Sequence, residues 1–250
     1  SISQLDGSPR SLKWSPNGKY LAFIMFVPEE TLQLVSPPRK PKNANWAEKP
    51  RITDRLKHEA DGSGYMKEGF SHIFQISSTG GKPIQVTTEK YNHYSYDWMT
   101  GSDGFVFSSN YSEDWEYDFR NSEIYSLSLN GSKPKQLTYR NGPDMDAVVS
   151  PDGKSIAYLG YEDKVQTYQI NNLSIMNIDG SNKRTINIDL DRNIESLKWS
   201  EDGKNLYFMY DNFGNTKIAI TNLNGRVRKL IDDVGGTSIG RPYGGGSYSV

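Results

Sequence analysis

Few residues in this chain stand in patterns that do chemistry. Gly236-Thr237-Ser238-Ile239-Gly240 fits Gly-x-Ser-x-Gly, the pattern of a nucleophile elbow. An elbow needs a strand before the serine and a helix after it, so that the hydroxyl is exposed on a strained turn. Arg241-Pro242-Tyr243 and three glycines follow instead, and they cannot make that helix. The histidine acting as base must also come later in that fold, whereas the last one here is His93. The run therefore reads as a Gly-rich link between repeats, and no catalytic residue is assigned. His58, His72 and His93 are too scattered for a metal site, and His72 falls at a strand start where packing accounts for it. Asp189-x-Asp191-x-Asn193 begins like a calcium loop, but Ile194 stands where glycine should make the turn. A solvated link is expected there, with neither metal nor cofactor.

Two charged segments remain. Residues 28–70 contain Pro28, Pro37, Pro38, Pro41 and Pro50, which forbid a continuous ladder, and basic residues that include Arg51, Arg55 and Lys57. Asn110 to Asn121 interleaves Glu113, Asp114, Glu116 and Asp118 with Trp115, Tyr117 and Phe119. Acidic and basic groups of this kind hold peptide termini, arginine pairing with a carboxylate through two hydrogen bonds, or they grip a neighbouring domain. Arg51, Arg55, Lys57, Glu113 and Glu116 are the candidate residues for a substrate entrance or a domain contact. The competing account is an exposed charged loop with no ligand.

What must position these segments is a repeat. Leu12-Lys13-Trp14-Ser15-Pro16-Asn17-Gly18-Lys19-Tyr20-Leu21-Ala22-Phe23 returns as Leu197-Lys198-Trp199-Ser200-Glu201-Asp202-Gly203-Lys204-Asn205-Leu206-Tyr207-Phe208. A third copy runs from Val148 to Tyr158, and a fainter one from Tyr96 to Phe107. Each is a hairpin: the Asn-Gly or Asp-Gly turn needs backbone at positive φ, and apolar runs flank it. A second hairpin recurs around Gly80-Gly81, Gly131, Asp179-Gly180 and Asn224-Gly225. Four strands per repeat of this length make the blade of a β-propeller. Complete blades are expected near 10–87, 95–138, 146–187 and 196–231, with 28–70 as an insertion in the first. Residues 1–7 read as the tail of an outer strand and Ser247 to Val250 as an inner one, so the fold class is all-β, part of a larger propeller of about seven blades. In the strand over 19–27, Leu21, Phe23 and Met25 alternate with Ala22, Ile24 and Phe26, so both faces should be covered. Links between second and third strands share one face of the propeller with the links between blades, and both charged segments project from it.

The whole chain sets wide bounds. Its 250 residues can bury a substantial core, and a net charge of −1 makes no electrostatic case for nucleic acid or an anionic membrane. There is no cysteine, and the longest apolar run, Leu21 to Val27, is far too short to span a bilayer. No signal peptide is visible, and the compartment stays open between cytoplasm and periplasm.

The stretch Pro50-Arg51-Ile52-Thr53-Asp54-Arg55-Leu56-Lys57 leads into Asp61-Gly62-x-Gly64-Tyr65 and His72-Ile73-Phe74, and Asn121-x-Glu123-Ile124-Tyr125 and Asp189-Leu190-Asp191-Arg192 follow. Together with the repeats they resemble the propeller of bacterial acylaminoacyl-peptidases, a branch of the prolyl oligopeptidase family of serine peptidases. The resemblance implies an α/β-hydrolase domain as partner, absent from residues 1–250, in which a Ser–His–Asp system cleaves short peptides. The propeller would then screen access by size. An alternative is a propeller like that of the periplasmic TolB protein, a protein-binding module without enzymatic activity. A sugar lyase, which would need a His-rich metal site, comes third. Exposed blade edges are expected to be covered by a second copy, a missing segment or the rest of the polypeptide.

Overall fold

The computed structural model describes residues 3–30, 34–36, 38–47, 52–131, 133–235 and 246–250. Arg51 of the candidate set, and the Gly236–Gly240 run with Ser238, lie outside the described residues. Among the described residues every regular element is a strand. The first blade contains β1 (Arg10–Trp14) and β2 (Tyr20–Pro28). A small ribbon follows, β3 (Glu59–Ala60) with β4 (Gly64–Tyr65), before β5 (Gly69–Ser77) and β6 (Ile84–Gln85) complete the blade. The second blade is β7 (His93–Trp98), β8 (Gly104–Ser109), β9 (Glu123–Ser128) and β10 (Lys135–Gln136). The third is β11 (Asp144–Val149), β12 (Ser155–Gly160), β13 (Asn172–Asn177) and β14 (Arg184–Ile186). The fourth is β15 (Ile194–Trp199), β16 (Asn205–Asn212), β17 (Asn215–Asn222) and β18 (Val227–Ile231). Each blade is a four-stranded antiparallel sheet in chain order, so the molecule is an all-β propeller of four-stranded blades.

The first hairpin of the first, third and fourth blades is locked by its own side chains. Ser150 Oγ donates to Asp152 Oδ1 at 2.6 Å and accepts the Ser155 N–H at 2.9 Å, while Lys154 N–H reaches the same Asp152 oxygen. Ser200 with Asp202, and Ser15 with Asn17, repeat the arrangement. Gly18, Gly153 and Gly203 take φ of 68°, 71° and 67°, which a side chain would resist. The second blade departs from the pattern: its turn places Ser102 at φ 58° instead of a glycine. The outer hairpins turn through Gly80, Gly131, Gly180 and Gly225, all near φ 90°.

Two-faced strands stack the blades. In β8 every residue is buried; Phe105 and Phe107 pack with Ala22, Ile24 and Ile73 of the first blade, while Val106 packs with Ile156 and Tyr158 of the third. Period-two alternation sends neighbours to opposite faces, and both faces are apolar. Leu159 and Leu173 likewise meet Ile194, Leu206 and Phe208 of the fourth blade.

Polar contacts then fix how one inner strand sits on the next. Trp98 Nε1 donates to the Lys13 carbonyl and Trp199 Nε1 to the Val148 carbonyl, both at 3.1 Å. Tyr96 Oη donates to the Ser11 carbonyl at 2.6 Å. Every inner strand shifts register at the same place, and Ser11, Asp146 and Ser196 stand there at φ near 55°. This bulge turns a carbonyl or N–H out of the ladder toward the neighbouring blade. Trp14 occupies the corresponding position in the first blade, but its residue is 59% exposed.

The two flanks differ from the sequence expectation. Residues 3–9 form no strand; Leu5 packs over Phe23 and Met25 on the outer face of the first blade, and a Cβ on Gly7 would come within 3.1 Å of Met25 Cγ. Residues 246–250 form no ladder either. They still sit where an inner strand belongs: Tyr248 Oη donates to the Ser196 carbonyl at 2.5 Å, and Lys198 Nζ donates to the Tyr248 carbonyl at 2.7 Å. The contact repeats that of Tyr96 with Ser11.

These seams predict a contrast between two tryptophans. Trp98→Phe removes the donor of a part-buried carbonyl and should cost about 1–2 kcal/mol, read as a lower urea midpoint. Trp14→Phe, at an exposed indole, should stay within about 0.5 kcal/mol of the parent. Equal losses at the two positions would show that the indole N–H does not join the blades.

Candidate functional site

Where the first and second blades meet, on the face that carries the β2–β5 and β8–β9 connections, lies an open cavity of about 340 Å³. Three stretches of chain build it. The insertion contributes Asp54 and Arg55, the link between blades contributes Lys90 and Tyr91, and the β8–β9 connection contributes Glu113, Trp115 and Glu116; Phe70 of β5 completes the wall. Arg55 is clasped rather than free. Its Nη2 lies 3.1 Å from Glu29 Oε2, and its guanidinium stands 4.6 Å from the Phe70 ring centre and 5.5 Å from that of Trp115. The rings themselves meet edge-on at 6.1 Å. Glu29 also holds Lys90 at 2.9 Å, and Glu116 Oε2 accepts the Leu56 N–H at 2.9 Å. These contacts pin the arm 54–56 across the seam.

The other carboxylates are left open. Glu113 and Asp54 pair with no described residue, Glu113 is exposed, and both border the cavity beside Trp115 and Tyr91. Carboxylates next to aromatic faces suit an ammonium group, through ion pairing and cation–π attraction. Of the five candidate residues, the structure thus brings Arg55, Glu113 and Glu116 into one wall. Lys57 lies exposed further along the arm and does not line the cavity. Lys90, Tyr91 and Phe70 were not singled out from the sequence; they reach the site only because one blade packs against the next. No group of three or more potential metal-ligating His, Cys, Asp or Glu side chains occurs among the described residues. Asn193 Oδ1 accepts the Asn171 N–H at 2.9 Å, which ties a member of the 189–193 run to the β12–β13 connection.

Beneath the cavity the seam is polar. His93 is fully buried, with Nδ1 at 2.9 Å from the Ser71 carbonyl and Nε2 at 2.9 Å from Tyr111 Oη, which in turn reaches Glu89 Oε2 at 3.4 Å. The His72 ring lies tilted against it, 5.4 Å between centres, and meets Thr87 Oγ1. Burial pushes the His93 imidazole down to about 4, the nearby His72 ring acting in the same direction, and burial lowers His72 as well. At the next seam the corresponding group is Glu123, 8% exposed, whose Oε2 has no hydrogen-bond partner. Burial pushes its carboxyl up to about 7, against the hydrogen bond from Thr138, and Asp144 adds to the rise.

The two shifts act on stability in opposite directions. His93 binds its proton more readily when unfolded, so stability is lost as pH falls from 6.5 through about 4. Glu123 stays protonated in the fold after the unfolded carboxyl has ionised, so stability is lost as pH rises from 4.5 through about 7. Glu123→Gln keeps the shape and removes that titration. The variant should gain on the parent as pH rises, by at most about 3 kcal/mol above pH 7, with the gain shrinking toward pH 4.5. Denaturant midpoints across this range check it, and a gain independent of pH would refute the assignment.

The family model of the dipeptidyl peptidase IV (DPP IV) N-terminal region matches residues 34–165. Dipeptidyl-peptidase 5 of Porphyromonas gingivalis is 24% identical over 138 residues, 54% of this chain and 20% of the relative. Dipeptidyl-peptidase 5 of Arthroderma otae is 37% identical over 98 residues, 34% of this chain and 13% of the relative. The matched stretch therefore spans no more than about a fifth of the length of these relatives. Among solved structures, the acylaminoacyl peptidase of Pyrococcus horikoshii superposes with a TM-score of 0.64 at 16% identity, over 93% of this chain and 33% of that one. TolB from Acinetobacter baumannii gives 0.58 at 17% identity, over 93% and 44%. At such identities the superpositions speak for the propeller fold, and the family match speaks for descent. The chain belongs to the dipeptidyl peptidase IV N-terminal region family, a propeller related to those of peptidases.

Proposed function

We propose that this propeller is the non-catalytic part of a serine-type oligopeptidase, that it screens peptides by size, and that the cavity between the first two blades receives a peptide amino terminus. The observation that carries the reading is that two carboxylates without a partner among the described residues, Asp54 and Glu113, stand beside Trp115 and Tyr91. Around them Glu29 holds both Arg55 and Lys90, and Glu116 accepts the Leu56 N–H, so the groups left for a ligand are negative. An α-ammonium group is the matching feature of a peptide. The names of the curated relatives support peptidase chemistry in the longer polypeptide. Tyr117 and Phe119, 76% and 68% exposed on the same connection, fit a face covered by the hydrolase domain. The exposed Trp14 fits a further blade on the other flank, as part of a larger propeller.

The test needs the full-length polypeptide. Glu113→Gln should raise KM about tenfold for peptides with a free amino terminus, equivalent to roughly 1.4 kcal/mol, and leave kcat unchanged. N-acetylated peptides of the same sequence should show no change. An equal effect on both peptide sets, or none on either, refutes amino-terminal recognition here. A polypeptide that binds partner proteins and cleaves no peptide would return the propeller to the TolB-like reading.

A further inference from the structure

A second cavity, of about 440 Å³, lies in the seam between the second and third blades, and the peptide reading makes no use of it. Its charge is one-sided. Arg140, Lys183 and Arg184 line it with a single carboxylate, Asp144. Arg140 is paired with Asp144. Lys183 and Arg184 instead donate to backbone carbonyls, of Gly180 at 2.6 Å and Leu223 at 3.0 Å. A carbonyl accepts a hydrogen bond without cancelling charge, so positive charge is in local excess although the chain carries −1 overall. The inner wall supplies hydroxyls: Thr138, Tyr158 and Ser174 are 1%, 3% and 2% exposed, and Ser174 Oγ lies 3.4 Å from Thr185 Oγ1. Cationic donors around a hydroxyl-lined hollow are the complement of an oxyanion.

Glu123 stands behind this wall. Arg140 from the link, Asp144 from β11 and Tyr158 from β12 face it, with Tyr125 from its own strand. Its buried Oε2 lacks a partner, and its charge is felt by whatever fills the hollow.

From this arrangement we propose that the seam between the second and third blades binds the oxyanion group of a small molecule, a phosphate, sulfate or carboxylate, through Lys183 and Arg184 against the Thr138, Tyr158 and Ser174 wall. Glu123 sets the pH response. Held up near 7 by burial, it is neutral below that pH and adds a negative charge above it, so anion affinity falls as pH rises through 7.

Sulfate is the probe, because its charge is constant between about pH 5 and 9. Calorimetry on the full 250-residue chain at fixed ionic strength should give saturable binding at one site. The double variant Lys183→Gln, Arg184→Gln changes surface side chains and should keep the parent melting temperature while binding about tenfold more weakly. Affinity at pH 8.5 should be roughly threefold or more below that at pH 5.5, and Glu123→Gln should abolish the difference. Competition separates the ligand sources: glycerol phosphate stands for phosphate esters, and a dipeptide compared with its C-terminal amide stands for peptide carboxylates. Displacement by at least one identifies the class. Uptake that does not saturate, an unaltered double variant, a pH response that survives Glu123→Gln, or displacement by neither competitor overturns the proposal. None of these outcomes touches the amino-terminal cavity at the other seam.

Discussion

Everything in this fold follows from sheets that are apolar on both faces. A two-layer protein leaves one face of a sheet in water; here β8 sends Phe105 and Phe107 one way and Val106 the other, and each finds an apolar partner on a different blade. Burying one such side chain stabilises by roughly 1.5–3 kcal/mol relative to leaving it exposed. No blade can therefore stand alone in water, and radial stacking is the arrangement that covers both faces of each. Stacking also decides where chemistry can sit. The strands are committed to packing, so polar groups collect at the seams and in the connections above them, where two blades and a link supply side chains to one volume.

The two polar seams are built on the same frame with acidic and basic side chains exchanged. His72, Thr87, Glu89 and His93 recur 51 residues later as Glu123, Thr138, Arg140 and Asp144. The threonine keeps its task in both, accepting the Ile73 N–H at 3.0 Å and the Ile124 N–H at 2.8 Å. Around it two imidazoles and a carboxylate are exchanged for two carboxylates and a guanidinium. Burial disfavours charge in either set, and each answers in its own way: the histidines lose their protons, while Glu123 keeps its own beside the Arg140–Asp144 pair. A repeat thus conserves backbone positions and leaves the chemistry at each seam free to differ.

The repeat was legible because turns advertise their backbone. A Ser-x-Asp-Gly run states both the side-chain lock and the glycine at positive φ, and an outer glycine marks each second hairpin. The second blade shows the limit, since Ser102 takes the left-handed conformation where the pattern wants glycine. The flanks show a related limit: with no ladder partner among the described residues, Leu5 serves by covering Phe23 and Met25. The candidate site was only half legible. Arg55, Glu113 and Glu116 stood out as charge beside aromatics or proline, whereas Lys90 and Tyr91 sit in an ordinary link and acquire meaning from packing across a seam.

Arg55 also shows why charge alone misdirects. Read from the sequence, a basic arm suggests recognition of a peptide carboxylate. In the fold the guanidinium already has a carboxylate partner in Glu29 and two aromatic neighbours, Phe70 and Trp115. A planar cation held on rings and paired at one edge keeps little donor capacity for a ligand, and its removal would loosen the arm from the blade. Lys90 is likewise tied to Glu29. With both cations engaged, the polarity of the cavity is set by the carboxylates that find no partner among the described residues, Asp54 and Glu113. The arm therefore acts as a clasp that shapes the seam, and the acidic connection of the neighbouring blade supplies the charge a ligand would meet.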